Sequence, residues 1–189
     1  MKRIIALCGL KRSGKDLAAR YISEQYGYTH VKIAQPLKDI LKTAFRFTDD
    51  ELETDLKDCI SPKWGVSPRI LMNYIGTQVF QYDIAHVVPK LKDRCFWIDH
   101  LLDTYPQTEN LVISDLRFQH EVQRIQQFVS NTDDYMFHVI RICRNGTSAG
   151  TLVSEKESAL LTADTVLDNN GTVRELCDQI DLIIKKISC

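Results

Sequence analysis

The sequence predicts an α/β fold in three layers, with a parallel sheet of about five strands flanked by helices on both faces. Two observations carry this. Short apolar runs alternate along the chain with stretches of helical period, the pattern of strand–helix–strand units. The glycine-bounded segment Gly9-Leu-Lys-Arg-Ser-Gly14-Lys15-Asp16 also lies between the apolar run Ile4–Cys8 and the helix-forming run Leu17–Ile22. In a sheet of this kind, right-handed crossovers place ligands at the carboxyl ends of the strands. The segment 9–16 occupies the first such end.

Taken in order, the alternation in Thr29–Ile33 reads as a second strand, and Pro36 suits the first turn of a helix running to Phe45. The acidic stretch Thr48–Asp58 reads as a solvated helix or loop. Pro68 opens a longer helix, which Gly76-Thr77 is expected to interrupt, and Phe96–Leu102 is an amphipathic helix stopping before Pro106. Leu111–Asp115 is a buried strand ending in a carboxylate. Phe118, Val122, Ile125 and Val129 then repeat with a helical period. Phe137–Cys143 is a fourth strand, followed by a Gly/Ser/Thr loop from Asn145 to Thr151. Thr165–Leu167 is a fifth strand, and a last amphipathic helix runs from Val173 to Ile187.

The chemistry concentrates in residues 9–16. Glycines allow a loop to approach a ligand closely, and its N–H groups then form an anion nest at a helix N-terminus. Gly9, Lys11, Arg12, Ser13, Gly14, Lys15, Asp16 and Leu17 are the expected phosphate-binding set, with Lys15 reaching the β- and γ-phosphates. The general motif has Ser or Thr after the lysine, where this chain has Asp16. A carboxylate there can hold Mg²⁺, directly or through water, and needs the metal or another cation beside it. A plain N-terminal helix aspartate is the other reading.

Length, charge and cysteine use narrow the class. A chain of 189 residues is read as one domain, and a net charge of −1 gives no basic surface for nucleic acid. The six cysteines form no C-x-x-C pair, which points to a reducing compartment. Cys8 and Cys143 lie in strand-like runs and are expected to be small buried hydrophobes. No stretch nears the ~20 apolar residues of a membrane span. A soluble cytoplasmic protein is the expectation, without nucleic-acid or membrane partners.

Other groups have two readings each. Asp115 either supports Mg²⁺ or caps the following helix. Arg117 either clamps a phosphate or pairs with Asp115 or Glu121. Arg141 and Arg144 flank the start of the Gly/Ser/Thr loop and suit a lid that neutralises a transferring phosphoryl group, or are simply surface arginines. His30, His86, His100, His120 and His138 lack ligand spacing and are read as structural. Tyr74, Phe80 and Trp97 could stack on a base but lie at spacings more usual for a core.

These residues resemble the deoxynucleoside monophosphate kinases of bacteriophages and large DNA viruses, within the P-loop kinases. The likeness begins in the G-x-K-R-S-G-K-D loop at 9–16. It continues in Ala34-Gln-Pro36-Leu-Lys38 and in Leu71–Gln78, which is similar to an L-G-T-E/Q segment. It is most telling in Asp115-Leu-Arg117-Phe118-Gln-His-Glu121, similar to D-x-R-F-x-x-E, and ends in the turn Leu167–Thr172. Leu17 departs from the Thr common in relatives, and 145–155 keeps only Ser154-Glu155 of the expected pattern.

The resemblance implies one P-loop kinase domain over 1–189, with substrate-binding helices inserted at about 35–108 and a lid-like loop at about 144–160. It implies transfer from ATP, with Mg²⁺ held by Asp16 and Asp115, to a deoxynucleoside monophosphate. Lys38, Arg69, Gln78, Asp115 and Arg117 would hold this acceptor. Lys15, Arg117, Arg141 and Arg144 would be the catalytic charges; a homodimer is left open. A kinase similar to animal phosphomevalonate kinases and a nucleotide-binding regulator without transfer are the competing readings. The absence of an N-K-x-D signature weakens a GTP switch.

Overall fold

The computed structural model describes residues 1–105, 109–132, 134–147 and 153–188. The chain divides into two compact units, residues 1–32 with 103–189, and residues 33–102.

The first unit is built on an all-parallel sheet. Its strands are β1 (Lys2–Cys8), β2 (Thr29–Val31), β3 (Leu111–Ile113), β4 (Tyr135–Cys143) and β5 (Thr165–Asp168), in the order β2-β3-β1-β4-β5. Central strands covered on both faces read as unbroken apolar runs rather than alternating ones. This is why Ile4-Ile5-Ala6-Leu7-Cys8 and Leu111-Val112-Ile113 are wholly buried. Ile5 stands level with Val112 on β3 and with His138 on β4, and Val31 of β2 is level with Ile113.

Helix α1 (Lys15–Tyr26) starts at the phosphate loop and ends at Gly27, whose N–H donates to the Ser23 carbonyl at 3.0 Å. Its apolar side, Ala18, Ala19 and Ile22, shares a core cluster with Ile5, Leu7, Val112, Ile140 and Ile142. Leu176, Ile180, Ile183 and Ile184 of the last helix (Val173–Ser188) complete that cluster. Tyr21 and Tyr26 fasten the two helices, both donating to Asp181 Oδ1, at 2.8 and 2.7 Å.

The second unit is helical. Its first helices are α2 (Gln35–Phe45) and α3 (Asp49–Glu53), followed by a 3₁₀ turn at Asp55–Asp58 and α4 (Pro68–Asn73). Thr48 caps α3 with a complete capping box to Glu51. Contrary to the expected interruption at Gly76-Thr77, the chain continues from α4 as a π-helix, Tyr74–Asp83, and the Ile84 N–H reaches back to the Val79 carbonyl. Gly76 does not break this helix. It lets Leu37 of α2 pack where a β-carbon would stand. Helix α5 (Ile84–Val87), a 3₁₀ turn at Pro89–Leu91 and α6 (Phe96–Thr104) follow.

Trp97 is buried, donates from Nε1 to the Gly76 carbonyl at 2.8 Å, and packs its ring 4.7 Å from Phe80. Trp97 therefore belongs to the core of this unit, Phe80 is half-buried against it, and Tyr74 remains 58% exposed. Removing the indole donor leaves a buried acceptor short of a partner. Trp97→Phe is accordingly expected to lower the unfolding free energy by about 1–3 kcal/mol, measured by urea denaturation.

Among the described residues, α7 (Gln119–Thr132) follows β3, α8 (Val153–Leu160) follows β4, and α9 is the last helix described above. Cys8 is buried as expected. Cys143 is exposed, because it is the last residue of β4, where the covering layers end. Among the described residues, no helix is long and apolar enough to cross a membrane.

Candidate active site

The phosphate loop leaves the buried end of β1 and enters α1 through backbone conformations that a side chain resists. Gly9 has φ +138° and Gly14 φ +105°. A β-carbon on Gly9 would run into the Ile142 carbonyl, and one on Gly14 into the Asn169 amide. Arg12 is held in the left-handed region at φ +65°. Gly14 gives α1 no side-chain cap, so it takes up none of the first N–H groups of the helix, which an anion site needs left available.

Lys15 Nζ folds back into that loop and donates to the Gly9 and Leu10 carbonyls at 2.8 and 2.7 Å. Burial, and then the Arg117 guanidinium, hold its pKa below the usual lysine value. Arg117 and Lys15 are therefore near enough to repel, an arrangement that an anion between them would relieve. Ser13 is fully buried, and among the described residues its Oγ has no hydrogen-bond partner. Lys11 and Arg12 are exposed, as is Leu17.

Asp16 is the carboxylate of the loop. Lys32 Nζ lies 3.2 Å from Asp16 Oδ1, and Ser114 Oγ donates to the same oxygen at 3.4 Å. Partial shielding from water by the surrounding loop would by itself raise this largely exposed carboxyl's pKa, but the Lys32 charge and hydrogen bond, with Lys15 and His30, bring it below the usual value. His30 Nε2 stands 2.8 Å from Ser114 Oγ, and burial followed by Lys32 lowers its pKa.

Asp115, directly after Ser114, is close enough to Lys15 and His30 to favour their charged forms. A carboxylate in the first turn of α1 and another just after β3, beside the glycine-bounded loop, suit Mg²⁺, which takes one or two protein oxygens and fills its shell with phosphates and water. Among the described residues, no group of three or more His, Cys, Asp or Glu forms a metal cage.

The segment carrying Asp115 and Arg117 is tied down by Glu121. Its buried Oε2 accepts the N–H groups of Arg117 at 2.9 Å and Phe118 at 3.0 Å. A second support comes from the turn after β5. Asn169 Nδ2 donates to the Ser13 carbonyl at 2.8 Å, and its own N–H donates to the Cys143 carbonyl.

Other expected site residues lie elsewhere. Arg141 donates to the Ser158 carbonyl at 3.4 Å and to that of Leu161, clasping the end of α8. Arg144 is exposed. Of the expected lid at about 144–160, residues 148–152 lie outside the described residues, as do the side chains of Ser154 and Glu155.

Lys38, Arg69 and Gln78 belong to the second unit, and each faces a carboxylate there. Lys38 Nζ is 2.5 Å from Glu53 Oε1, Arg69 pairs with Asp58, and Gln78 Nε2 donates to Asp83 at 2.8 Å. Glu53 and Asp58 come from the acidic stretch expected to be merely solvated. It is instead partly engaged in ion pairs.

Lys32, Ser114, His30 and Asn169 escape a sequence reading. Their signal is position: His30 and Lys32 alternate at the end of β2, and the level pair Val31–Ile113 brings that end beside Ser114.

Strand order β2-β3-β1-β4-β5, a glycine-bounded loop after the central strand, and a carboxylate at the end of its neighbour define a P-loop kinase. The family model for deoxynucleotide monophosphate kinase matches residues 3–60 and 53–180, and the chain belongs to that family. It is 32% identical over 188 residues to a protein of Acanthamoeba polyphaga mimivirus named as a deoxynucleotide monophosphate kinase, covering 94% of this chain and 93% of that one. It is 22% identical to the deoxynucleotide monophosphate kinase of Enterobacteria phage T4, over 97% of this chain and 99% of the phage protein. Among solved structures it is similar to the dephospho-CoA kinase of Campylobacter jejuni, at 16% identity and a TM-score of 0.45, covering 100% of this chain and 98% of that one.

Proposed function

We propose that this kinase transfers the γ-phosphoryl group of ATP, with Mg²⁺, to a deoxynucleoside 5′-monophosphate, giving ADP and the deoxynucleoside diphosphate. The observation that carries the reading is the meeting of Lys15, Asp16, Asp115 and Arg117 where β1 and β3 end. Lys15 exchanges the Gly9 and Leu10 carbonyls for phosphate oxygens of the donor. Arg117, repelled by Lys15 when no anion separates them, supplies the opposite side of the transferring group. Asp16 and Asp115 would hold Mg²⁺, which would neutralise charge on the donor phosphates. The acceptor phosphate is anionic and attacks as it stands, so no general base is needed.

Lys38, Arg69 and Gln78 are proposed to hold the acceptor, exchanging Glu53, Asp58 and Asp83 for the nucleotide. Arg141 and Arg144 are proposed to neutralise the phosphoryl group in flight, Arg141 by releasing the two carbonyls it now clasps. The family names and the phosphate-loop geometry support the reaction class, and the two viral relatives' names support the acceptor class.

ADP release, measured with each common deoxynucleoside monophosphate, its ribo counterpart and phosphomevalonate, tests this. Turnover is expected with one or more of the deoxynucleotides. Turnover with phosphomevalonate alone, or nucleotide binding with transfer to none of them, would overturn the reading.

A further inference from the structure

Asp16 already has a cation beside it, and the reaction above gives that cation no part. Lys32 follows β2 directly, and the level pair Val31–Ile113 sets it next to Ser114 at the end of β3. Lys32 Nζ and Ser114 Oγ both address Asp16 Oδ1, at 3.2 and 3.4 Å, and His30 holds Ser114 at 2.8 Å. Three residues from two strand ends thus aim one carboxylate of the phosphate loop. The Lys32 side chain is 24% exposed and that of Asp16 68%, so the pair lies at the mouth of the site, within reach of solvent ions.

A carboxylate beside bound phosphates must be neutralised in every state, yet an ammonium and a divalent cation compete for the same oxygens. We propose that Lys32 is a positioning residue: it holds the Asp16 carboxylate in the nucleotide-free protein and yields it to the divalent cation when nucleotide loads. The pairing keeps Asp16 from repelling the incoming phosphates before the metal arrives. It also sets the magnesium concentration at which the site fills. The inference rests on the reading that Asp16 receives the metal.

The test is binding of a fluorescent, non-hydrolysable ATP analogue to the full chain as free Mg²⁺ is varied. Lys32→Met is expected to lower the magnesium needed for half-saturation about three- to fivefold, the worth of a partly exposed ion pair. In an Asp16→Asn background the same substitution is expected to change nothing, which separates competition for Asp16 from a general loss of positive charge. Lys32→Arg, able to grip the carboxylate with two parallel hydrogen bonds, is expected to raise the requirement. It decides the matter alone if Lys32→Met does not fold.

A magnesium requirement unchanged or raised by Lys32→Met, or equally shifted without Asp16, would overturn the inference. The assay uses no acceptor. A wild-type protein that phosphorylates no deoxynucleotide but shows these shifts therefore refutes the proposed function and leaves the role of Lys32 standing. Full transfer activity without the shifts does the reverse.

Discussion

Lys15→Ala is expected to reduce kcat by roughly 10²–10³ while leaving a folded protein, by analogy with the loss of one preorganised charge donor. Among the described residues Nζ donates to carbonyls of its own loop, Gly9 and Leu10. Removing it takes away little of the fold, since the loop is also anchored by Asn169 on the Ser13 carbonyl and by the N–H of Ser13 on Leu10. What disappears is a charge that burial and Arg117 make costly to keep without an anion beside it. That charge is recovered only against phosphate, and most fully as negative charge spreads over the transferring group. The loss should therefore appear mainly in kcat, with a smaller change in KM for ATP. Initial-rate kinetics with a thermal melt of the same preparation check this. A folded Lys15→Ala protein of near wild-type turnover would remove Lys15 from the reaction.

The parts of this molecule that can be read from sequence are those set by short-range chemistry. Ile4–Cys8 and Leu111–Ile113 are apolar without alternation, so they fall in the sheet centre, and the glycines of 9–16 follow one of them directly. Lys32 and His30 look like the outward half of an ordinary alternating strand. Only the pairing of β2 with β3, between segments some eighty residues apart, brings them to Ser114 and Asp16. Asn169 is similar: a polar residue in a turn-forming run, buried because β5 ends beside the phosphate loop. The Gly76-Thr77 pair reads as an interruption because glycine weakens helices in general. Here the missing β-carbon admits Leu37, and packing outweighs propensity. Arg141 has the composition of a lid charge, yet its present partners are carbonyls at the end of α8, where helix dipoles favour a cation.

Glu121 supplies the second large effect, on stability. It is the third residue of α7, fully buried, and burial pushes its pKa up to about 7, against the opposing pull of the Arg117 and Phe118 N–H groups. The folded protein therefore holds this proton more tightly than the unfolded chain, whose value is 4.5. Between those two pH values the native state binds the extra proton. The stability Glu121 contributes is then complete below the unfolded pKa and is lost as pH rises through the folded one. A shift of this size corresponds to about 3 kcal/mol. Glu121→Gln keeps an oxygen to accept both backbone N–H groups but cannot ionise. The unfolding free energy of wild type minus that of Glu121→Gln is expected to fall by about 3 kcal/mol from pH 4.5 to pH 8. Urea denaturation at a series of pH values measures it, and other titrating groups cancel in the difference. Parallel pH profiles would mean that the Glu121 carboxyl ionises in the native state as it does in the unfolded chain. The segment bearing Asp115 and Arg117 would then be held by an ordinary charged cap. A diverging pair would show that the fold around the segment bearing Asp115 and Arg117 is most stable when this acid is neutral.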